Sequence, residues 1–213
     1  MARPRFEKLE PQRQEEILAA AAEEFAARGF EGASLSRILE RSGMSKGALY
    51  YYFDDKADLL ATTAERAVKR VLAASDFPPL ESLTKDDYWE RVREATRRSL
   101  ESLEADTWYM RLLRAFWYLR EEEAARTATV GLVDWSRDLT RLFLQRGQEL
   151  GTVRTDLPLE LMLEMFLAAD QAGDRWMMDR WDGLGEREKA EMVDARVDFV
   201  RDMLDARHMG WEP

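Results

Sequence analysis

Cysteine is absent from this 213-residue sequence, and histidine occurs once, at His208. The absence of cysteine excludes disulfides, thiolate zinc sites, iron–sulfur clusters and cysteine nucleophiles. A single histidine excludes metal centres that need several histidine ligands, and any Ser-His-Asp triad would have to use His208. We therefore expect no catalytic site, no metal site and no cofactor.

Long apolar runs are missing as well. No stretch approaches the roughly 20 apolar residues that span a bilayer, and the first ten residues are charged and lack the apolar core of a secretory signal. We expect a soluble, cytoplasmic protein without a membrane partner. Its 32 basic and 42 acidic residues give a net charge of −10, which at first argues against nucleic-acid binding.

Glycine and proline are scarce, with 11 and 6 residues, and alternating runs of β-branched and aromatic residues are absent. Ala, Leu, Glu and Arg dominate, and this composition favours helices. The sequence therefore predicts an all-α fold of about nine helices. The predicted helices span about residues 11–29, 35–43, 46–53, 56–74, 88–103, 107–120, 121–150 (one helix or two), 158–181 and 186–207.

Residues 34–53 contain two short predicted helices joined by Ser42-Gly43-Met44-Ser45. A short turn with glycine between two such helices is typical of a helix-turn-helix motif. Ser34 and Ser45 are placed as N-caps, and Gly43 has the backbone freedom that a tight turn needs. We expect one set of apolar side chains to pack inward: Leu35, Ile38, Leu39, Met44, Leu49 and Phe53, together with Ile17 and Phe25 of the first helix.

The outward face of the third helix then carries small, basic and aromatic residues: Ser45, Lys46, Gly47, Ala48, Tyr50 and Tyr51. Its small residues would let the helix enter a major groove. There Lys46 can reach a guanine edge or a phosphate, Ala48 can touch a thymine methyl group, and the tyrosines can reach phosphates.

Residues 35–39 (Leu-Ser-Arg-Ile-Leu) and 43–56 (Gly-Met-Ser-Lys-Gly-Ala-Leu-Tyr-Tyr-Tyr-Phe-Asp-Asp-Lys) resemble the DNA-binding domain of the TetR family of bacterial transcriptional regulators. An Ala-x-x-x-Phe-Ala-x-x-Gly-Phe pattern precedes them and ends at Phe30. The resemblance covers about residues 11–71. It implies a homodimer with one helix-turn-helix per subunit, and a divergent helical domain that binds a small-molecule effector and forms the dimer interface.

The resemblance also implies domains and site residues. A DNA-binding domain would span residues 1–71, with its motif at about 34–53, and a ligand-binding and dimerisation domain would span 72–213. The function implied is that of a ligand-responsive repressor, which binds a palindromic double-stranded operator. Phosphates would be contacted by Ser34, Ser36, Arg37, Tyr51 and Lys56, and bases or the adjacent backbone by Ser45, Lys46, Gly47, Ala48 and Tyr50.

This segment has only a small excess of basic residues. Residues 34–56 contain four basic and three acidic side chains, 4 − 3 = +1, so we expect modest non-specific DNA affinity with a shallow salt dependence. Arg3 and Arg5 precede the first helix. They form either a basic arm that reaches a minor groove or a disordered, solvated tail.

Aromatic residues and methionines recur beyond residue 100 and suit an adaptable apolar pocket, although plain core packing is the competing interpretation for each. Asp170 lies on the apolar stripe of helix 158–181, where a buried acid needs a partner. It forms a salt bridge to an arginine such as Arg114, or it anchors an amine or hydroxyl of an effector. Tryptophans beside it would favour a cationic aromatic ligand. The predicted ligand-binding residues are Trp108, Phe116, Trp117, Trp135, Met162, Phe166, Asp170 and Trp176.

Small residues on helix 158–181 and valines on the last helix suggest a dimer seam, that is, an interface between two subunits. Packing of the same residues within one chain is an equally favoured interpretation. The small residues are Ala168, Ala169, Ala172 and Gly173, and the valines are Val193, Val197 and Val200. Two other classes stay open at this point: a helical enzyme that uses acidic residues, and a helical protein-interaction module without DNA binding.

Overall fold

The fold is all-α, as the composition predicts. The computed structural model describes residues 4–101 and 106–206, apart from the side chains of Leu100, Trp117, Met178 and Asp182. Those residues form ten α-helices and, outside them, one isolated antiparallel bridge between Val153 and Asp205. The helices are α1 (Pro11–Gly32), α2 (Leu35–Ser42), α3 (Lys46–Tyr52), α4 (Lys56–Ser75), α5 (Tyr88–Glu101), α6 (Trp108–Leu119), α7 (Glu123–Ala128), α8 (Val130–Glu149), α9 (Leu159–Arg180) and α10 (Glu186–Leu204).

Two compact units make up the chain. Unit one contains the described residues within 1–71 and 103–133, and unit two contains those within 72–102 and 134–213. The first unit therefore includes α6 and α7, which lie beyond the boundary at residue 71 that the sequence suggested. The stretch 121–150 forms two helices, α7 and α8, one of the two options left open for it.

The core of unit one is built by α1, on which the other helices of the unit pack. Ile17 and Phe25 are fully buried with Ile38, Leu49 and Phe53 of the helix-turn-helix segment. Leu112 of α6 and Ala125 of α7 complete the same cluster. The inward face expected for residues 35–53 is confirmed, because Met44 is also buried and Leu35 and Leu39 pack against this core.

Helix α1 breaks at Gly29, whose φ of 70° and ψ of −178° are not helical. One further turn follows and ends at Gly32, where the sequence suggested only a connecting segment. A new turn exposes N–H groups that have no acceptor one turn earlier. The carboxylate of Glu122 accepts two of them, from Phe30 at 2.9 Å and from Glu31 at 2.6 Å.

The core of unit two is a second cluster of buried residues: Leu83, Tyr88, Leu144, Val153, Met162, Leu163, Val200 and Leu204. Burial raises the pKa of Tyr88 well above its ordinary value, and its hydroxyl donates to the carbonyl of Phe143 at 3.1 Å. Within the described ranges, no helix is long and apolar enough to cross a membrane.

Candidate functional site

The turn between α2 and α3 is held by its own backbone. Gly43 ends α2 in the left-handed conformation, with φ 60° and ψ 27°, and Met44 N–H donates to the carbonyl of Leu39 at 3.0 Å. The hydroxyl of Ser45 accepts from Ala48 N–H at 3.2 Å, so Ser45 caps α3 as predicted. Ser34 stands at the N-cap position of α2, but its side chain makes no capping bond.

Helix α3 presents most of the outward face that the sequence predicts, except that Ala48 is half-buried and packs against the core of unit one. Tyr50 and Tyr51 are 44% and 48% exposed, whereas Leu49, which directly precedes them in the helix, is buried. Lys46 is also exposed, and no ion pair involves it among the described residues. Ser45, Gly47 and the α2 residue Ser36 are exposed too. The exposed surface of α3 is therefore polar, has small residues at the N-terminal end of the helix and is accessible to a partner.

Two of the predicted phosphate contacts are already occupied inside the protein. The Arg37 guanidinium donates from Nε to Glu24 at 2.7 Å, and the hydrogen bond from Arg37 holds the pKa of this buried carboxyl below its ordinary value. Lys56 donates to the carbonyls of Glu31 and Ala33 at 3.3 and 3.2 Å. Both cations hold the motif against the end of α1. Glu24 partly neutralises the charge of Arg37, whereas Lys56 keeps its charge but directs two of its N–H groups to carbonyls.

The segment before α1 is not a disordered tail from Pro4 onward, so that interpretation is wrong for this part. Phe6 is fully buried, with its ring 4.9 Å from Phe53 and 6.1 Å from Tyr52. The guanidinium of Arg5 lies 4.5 Å from the ring centre of Tyr51. A cation is thus held beside the exposed face of α3, while Arg3 lies outside the described residues. The isolated aromatic Phe6 among charged residues was the signal that could have revealed this.

Unit two contains a cavity of about 610 Å³. This volume lies within the range of small-molecule sites, about 300–1,000 Å³. Phe166 and Asp170 of the predicted ligand residues line it. The full lining is Leu72, Ser75, Phe77, Pro78, Pro79, Leu80, Val92, Ala95, Thr96, Ser99, Leu139, Thr140, Phe143, Phe166, Asp170, Asp174 and Arg196. Sequence reasoning missed most of these residues, because they come from five separate stretches of the chain.

The other predicted ligand residues lie elsewhere. Trp108 is buried in unit one, where its indole N–H donates to Glu15 at 2.9 Å, and Phe116 packs against the same core. Met162 belongs to the core of unit two. Trp135 and Trp176 are exposed, and the side chain of Trp117 lies outside the described residues. None of these described residues lines the cavity.

Asp170 makes the ion pair that its position on the stripe suggested, but its partner is Arg196 and not Arg114. Arg196 Nη2 donates to the Asp170 carboxylate, and Nη1 lies 2.6 Å from Oδ1 of Asp174. Burial, with the nearby charge of Asp170, raises the pKa of Asp174 to about 6. Arg196 comes from α10, one helix further along the chain, which the periodicity of α9 does not reveal.

The valines of α10 do not form an exposed seam. Val193, Val197 and Val200 are buried within the single chain, which confirms the intrachain interpretation for them. On helix α9, by contrast, the small residues Ala168 and Ala172 are exposed. Other exposed apolar residues lie on the same side of this helix, which we call the open side of α9, at helical spacing. These are Leu161, Met165 and Trp176.

Comparison with known proteins matches both the motif and the whole fold. A family model described as bacterial regulatory proteins of the tetR family matches residues 17–63. The HTH-type transcriptional repressor AcnR of Corynebacterium glutamicum is 30% identical over 149 residues, which cover 70% of this chain and 72% of that protein.

Two solved structures extend the likeness over almost the whole chain. The fatty acid degradation regulator FadR of Bacillus halodurans has a TM-score of 0.71 at 19% identity, over 91% of this chain and 96% of that one. FadR of Bacillus subtilis, in complex with stearoyl-CoA, has a TM-score of 0.69 at 15% identity, over 88% and 97%. At these identities the likeness shows the fold alone. All these proteins are transcriptional regulators and not enzymes.

Proposed function

This chain belongs to the TetR family of bacterial DNA-binding transcriptional regulators, and on this basis we propose that it is a ligand-responsive repressor that binds a palindromic operator as a homodimer. The observation that carries the proposal is the open face of α3, on which Lys46, Tyr50 and Tyr51 are exposed. That face lies within the residues that match the family model. A regulator that binds chromosomal DNA acts where the chromosome lies, so we also propose a cytoplasmic location.

On DNA, α3 would lie in the major groove. We assign base-edge contacts to Lys46, Gly47 and Ala48, and phosphate contacts to Tyr50, Tyr51 and the α2 residue Ser36. Ser34, Arg37, Ser45 and Lys56 would then contribute mainly by holding α2 and α3 in place, and only secondarily through phosphate contacts. Arg5, held on the ring of Tyr51, adds a cation at the edge of the same surface.

The homodimer would form through the open side of α9. Leu161, Met165 and Trp176 expose apolar side chains there, and Ala168 and Ala172 between them permit a close approach of a second helix. Two-fold symmetry would then place two α3 helices about 34–36 Å apart, one turn of DNA, which explains the need for a palindromic operator.

The cavity of unit two is the proposed effector site, and α4 is the proposed link to the DNA reader. This helix begins at Lys56, four residues after α3 ends, and its last turn supplies Leu72 and Ser75 to the cavity lining. An effector that prefers one position of this turn would shift α4 and change the spacing of the two α3 helices. The coupling required is typically about 1–3 kcal/mol.

Selection from random duplexes followed by gel shift tests the proposal. We expect one palindromic sequence to be enriched. Lys46→Ala and Tyr50→Ala should each weaken binding to it about tenfold or more, since each removes a contact of roughly 1–3 kcal/mol. Tyr118→Ala is the matched control, because Tyr118 is an equally exposed tyrosine outside the motif. Failure to enrich any duplex would contradict DNA binding, and unchanged affinity of both variants would show that another surface reads DNA.

A further inference from the structure

The cavity of unit two has an apolar body and one charged end. Phe77, Phe143 and Phe166 contribute rings to its wall. The charged side chains among its described lining residues are Asp170 and Asp174 of α9 and Arg196 of α10. The remaining polar lining residues carry only hydroxyl groups: Ser75 of α4, Thr96 and Ser99 of α5, and Thr140 of α8.

Two of the three nitrogens of the Arg196 guanidinium are bonded to carboxylates of α9. Nη2 donates to the carboxylate of Asp170 and to the Asp170 carbonyl at 3.2 Å, and Nη1 lies 2.6 Å from Oδ1 of Asp174. Only 16% of the Arg196 side chain is exposed. An anionic ligand would therefore have to compete with two carboxylates for this arginine.

The three charges do not cancel. Two carboxylates against one guanidinium leave a net charge of −1 at the end of an apolar cavity, where charges interact more strongly than in water. A bound anion would make the net charge −2, whereas a bound monocation would bring the net charge to zero. The charge balance therefore discriminates between ligands of opposite sign.

Asp174 lines the cavity beside Asp170, and both carboxylates pair with the same guanidinium. Asp174 contacts Arg196, and no other donor among the described residues bonds to it. Its raised pKa has two causes, burial and the neighbouring charge of Asp170, which together outweigh Arg196. A positive group placed beside it would offset the repulsion from Asp170.

We propose that the effector is a lipophilic organic cation, an amine or quaternary ammonium compound, whose apolar body fills the aromatic part of the cavity and whose charge lies against Asp174. The proposal rests on the proposed function, in which this cavity receives the effector. It names Asp174 as the recognition residue, and it makes Arg196 a positioning residue that holds both carboxylates at the cavity wall.

Protons should compete with such a ligand. Asp174, with a pKa of about 6, is ionised at pH 7.5 and mostly neutral at pH 5. Among the described residues that line the cavity, the charged groups beside Asp174 are Asp170 and Arg196, and the polar residues of α4, α5 and α8 present only hydroxyls. The affinity for a permanent cation should therefore fall about tenfold between pH 7.5 and pH 5.

Calorimetric titration with three compounds of equal chain length tests the inference: decyltrimethylammonium, decanol and decanoate, each below its micelle-forming concentration. At pH 7.5 we expect the ammonium compound to bind at least tenfold more tightly than decanol, and decanoate to bind most weakly. Asp174→Asn should remove the preference for the cation and leave decanol binding unchanged, which also shows that the variant is folded. Asp170→Asn removes the same charge and should act in the same direction.

Asp198→Asn is the matched control. Asp198 lies on α10 and, like Asp174, pairs with an arginine, Arg93 at 2.5 Å, but it does not line the cavity, so the preference should persist. Equal binding of decanoate and the ammonium compound, or a preference that survives Asp174→Asn, would overturn the inference while leaving the effector cavity in place. Binding of none of the three by a protein that still shifts its selected duplex would overturn the cavity as effector site and this inference with it.

Discussion

Glu24 shows how one buried charge organises the DNA-binding segment. Its carboxylate accepts from Ser34 N–H at 2.9 Å and from Arg37 at 2.7 Å, and its side chain is only 2% exposed. The backbone N–H of Ser34, at the N-cap position of α2, thus finds its acceptor on α1, because the residue three positions later is Arg37 and not an acid that could accept from it. This buried carboxylate therefore helps to position α2 on α1, together with the apolar packing of Ile38 and the exposed ion pair between Arg41 and Glu23.

Glu24→Gln should lower the free energy of unfolding by about 2 kcal/mol at pH 7, the usual loss for hydrogen bonds to a charged group. Because the folded-state pKa of Glu24 lies below its ordinary value of 4.5, its stabilisation is fully present above that value and is lost as the pH falls through the folded-state pKa. Urea unfolding of both proteins at pH 7 and pH 3 measures the difference.

The exposed Glu40 on α2 supplies the control for this measurement, since Glu40→Gln should change stability by less than about 0.5 kcal/mol. A Glu24→Gln difference that is equally large at both pH values would contradict the electrostatic explanation.

At the scale of the elements, particular glycines determine where helices break or end. Gly29 and Gly43 both have positive φ, at 70° and 60°. At Gly29, a side chain would also collide with the Glu122 carboxylate that caps the following turn. At Gly43 no atom lies within 4 Å of an added Cβ, so only backbone conformation favours glycine there.

The pair Gly43→Ala and Gly47→Ala isolates this conformational effect. Gly43→Ala should destabilise the protein by roughly 1–2 kcal/mol, the cost of a left-handed conformation for an L-residue with a side chain. Gly47→Ala, inside α3 and with only Ser45 Oγ, at 4.0 Å, near the added Cβ, should stabilise it by roughly 0.5–1 kcal/mol. Urea unfolding at equal protein concentration checks both. The same sign for the two changes would contradict a backbone origin.

At the scale of the whole molecule, the proposed homodimer would decide whether two α3 helices can contact one operator. The apolar side chains of Leu161, Met165 and Trp176 are exposed on one side of α9, and a second subunit is the proposed cover. Without that subunit a single α3 helix would read only half of a palindromic site.

Met165→Glu should therefore convert the dimer to a monomer at micromolar concentration, since it would bury an unpaired charge in the interface. Light scattering coupled to size exclusion gives the mass directly, and operator affinity should fall in parallel. Gln145→Glu adds the same charge at an exposed position of α8 and should leave the dimer intact. A Met165→Glu protein that remains dimeric would place the interface elsewhere.

The helix-turn-helix could be recognised from residues close together in sequence. The glycine of the turn, the Ser45 cap and the alternation of Leu49 with Tyr50 and Tyr51 each act within one or two helical turns, because a helix fixes the direction of side chains three and four residues apart. The all-α fold followed from composition for the same reason. The exposed face of α3 was therefore predictable without tertiary contacts.

Contacts between distant residues were not predictable in this way. Glu122 caps a turn at Phe30, 92 residues away, Arg37 is bound by Glu24 of α1, and Asp170 pairs with Arg196 instead of the suggested Arg114. Periodicity tells which face of a helix is apolar but not which other helix will cover it. Neighbouring residues were thus enough to specify the helix-turn-helix, because its features depend on residues within one or two helical turns. The lining and charge of the cavity depend instead on the packing of α9 against α10, since a pocket exists only where separate helices meet.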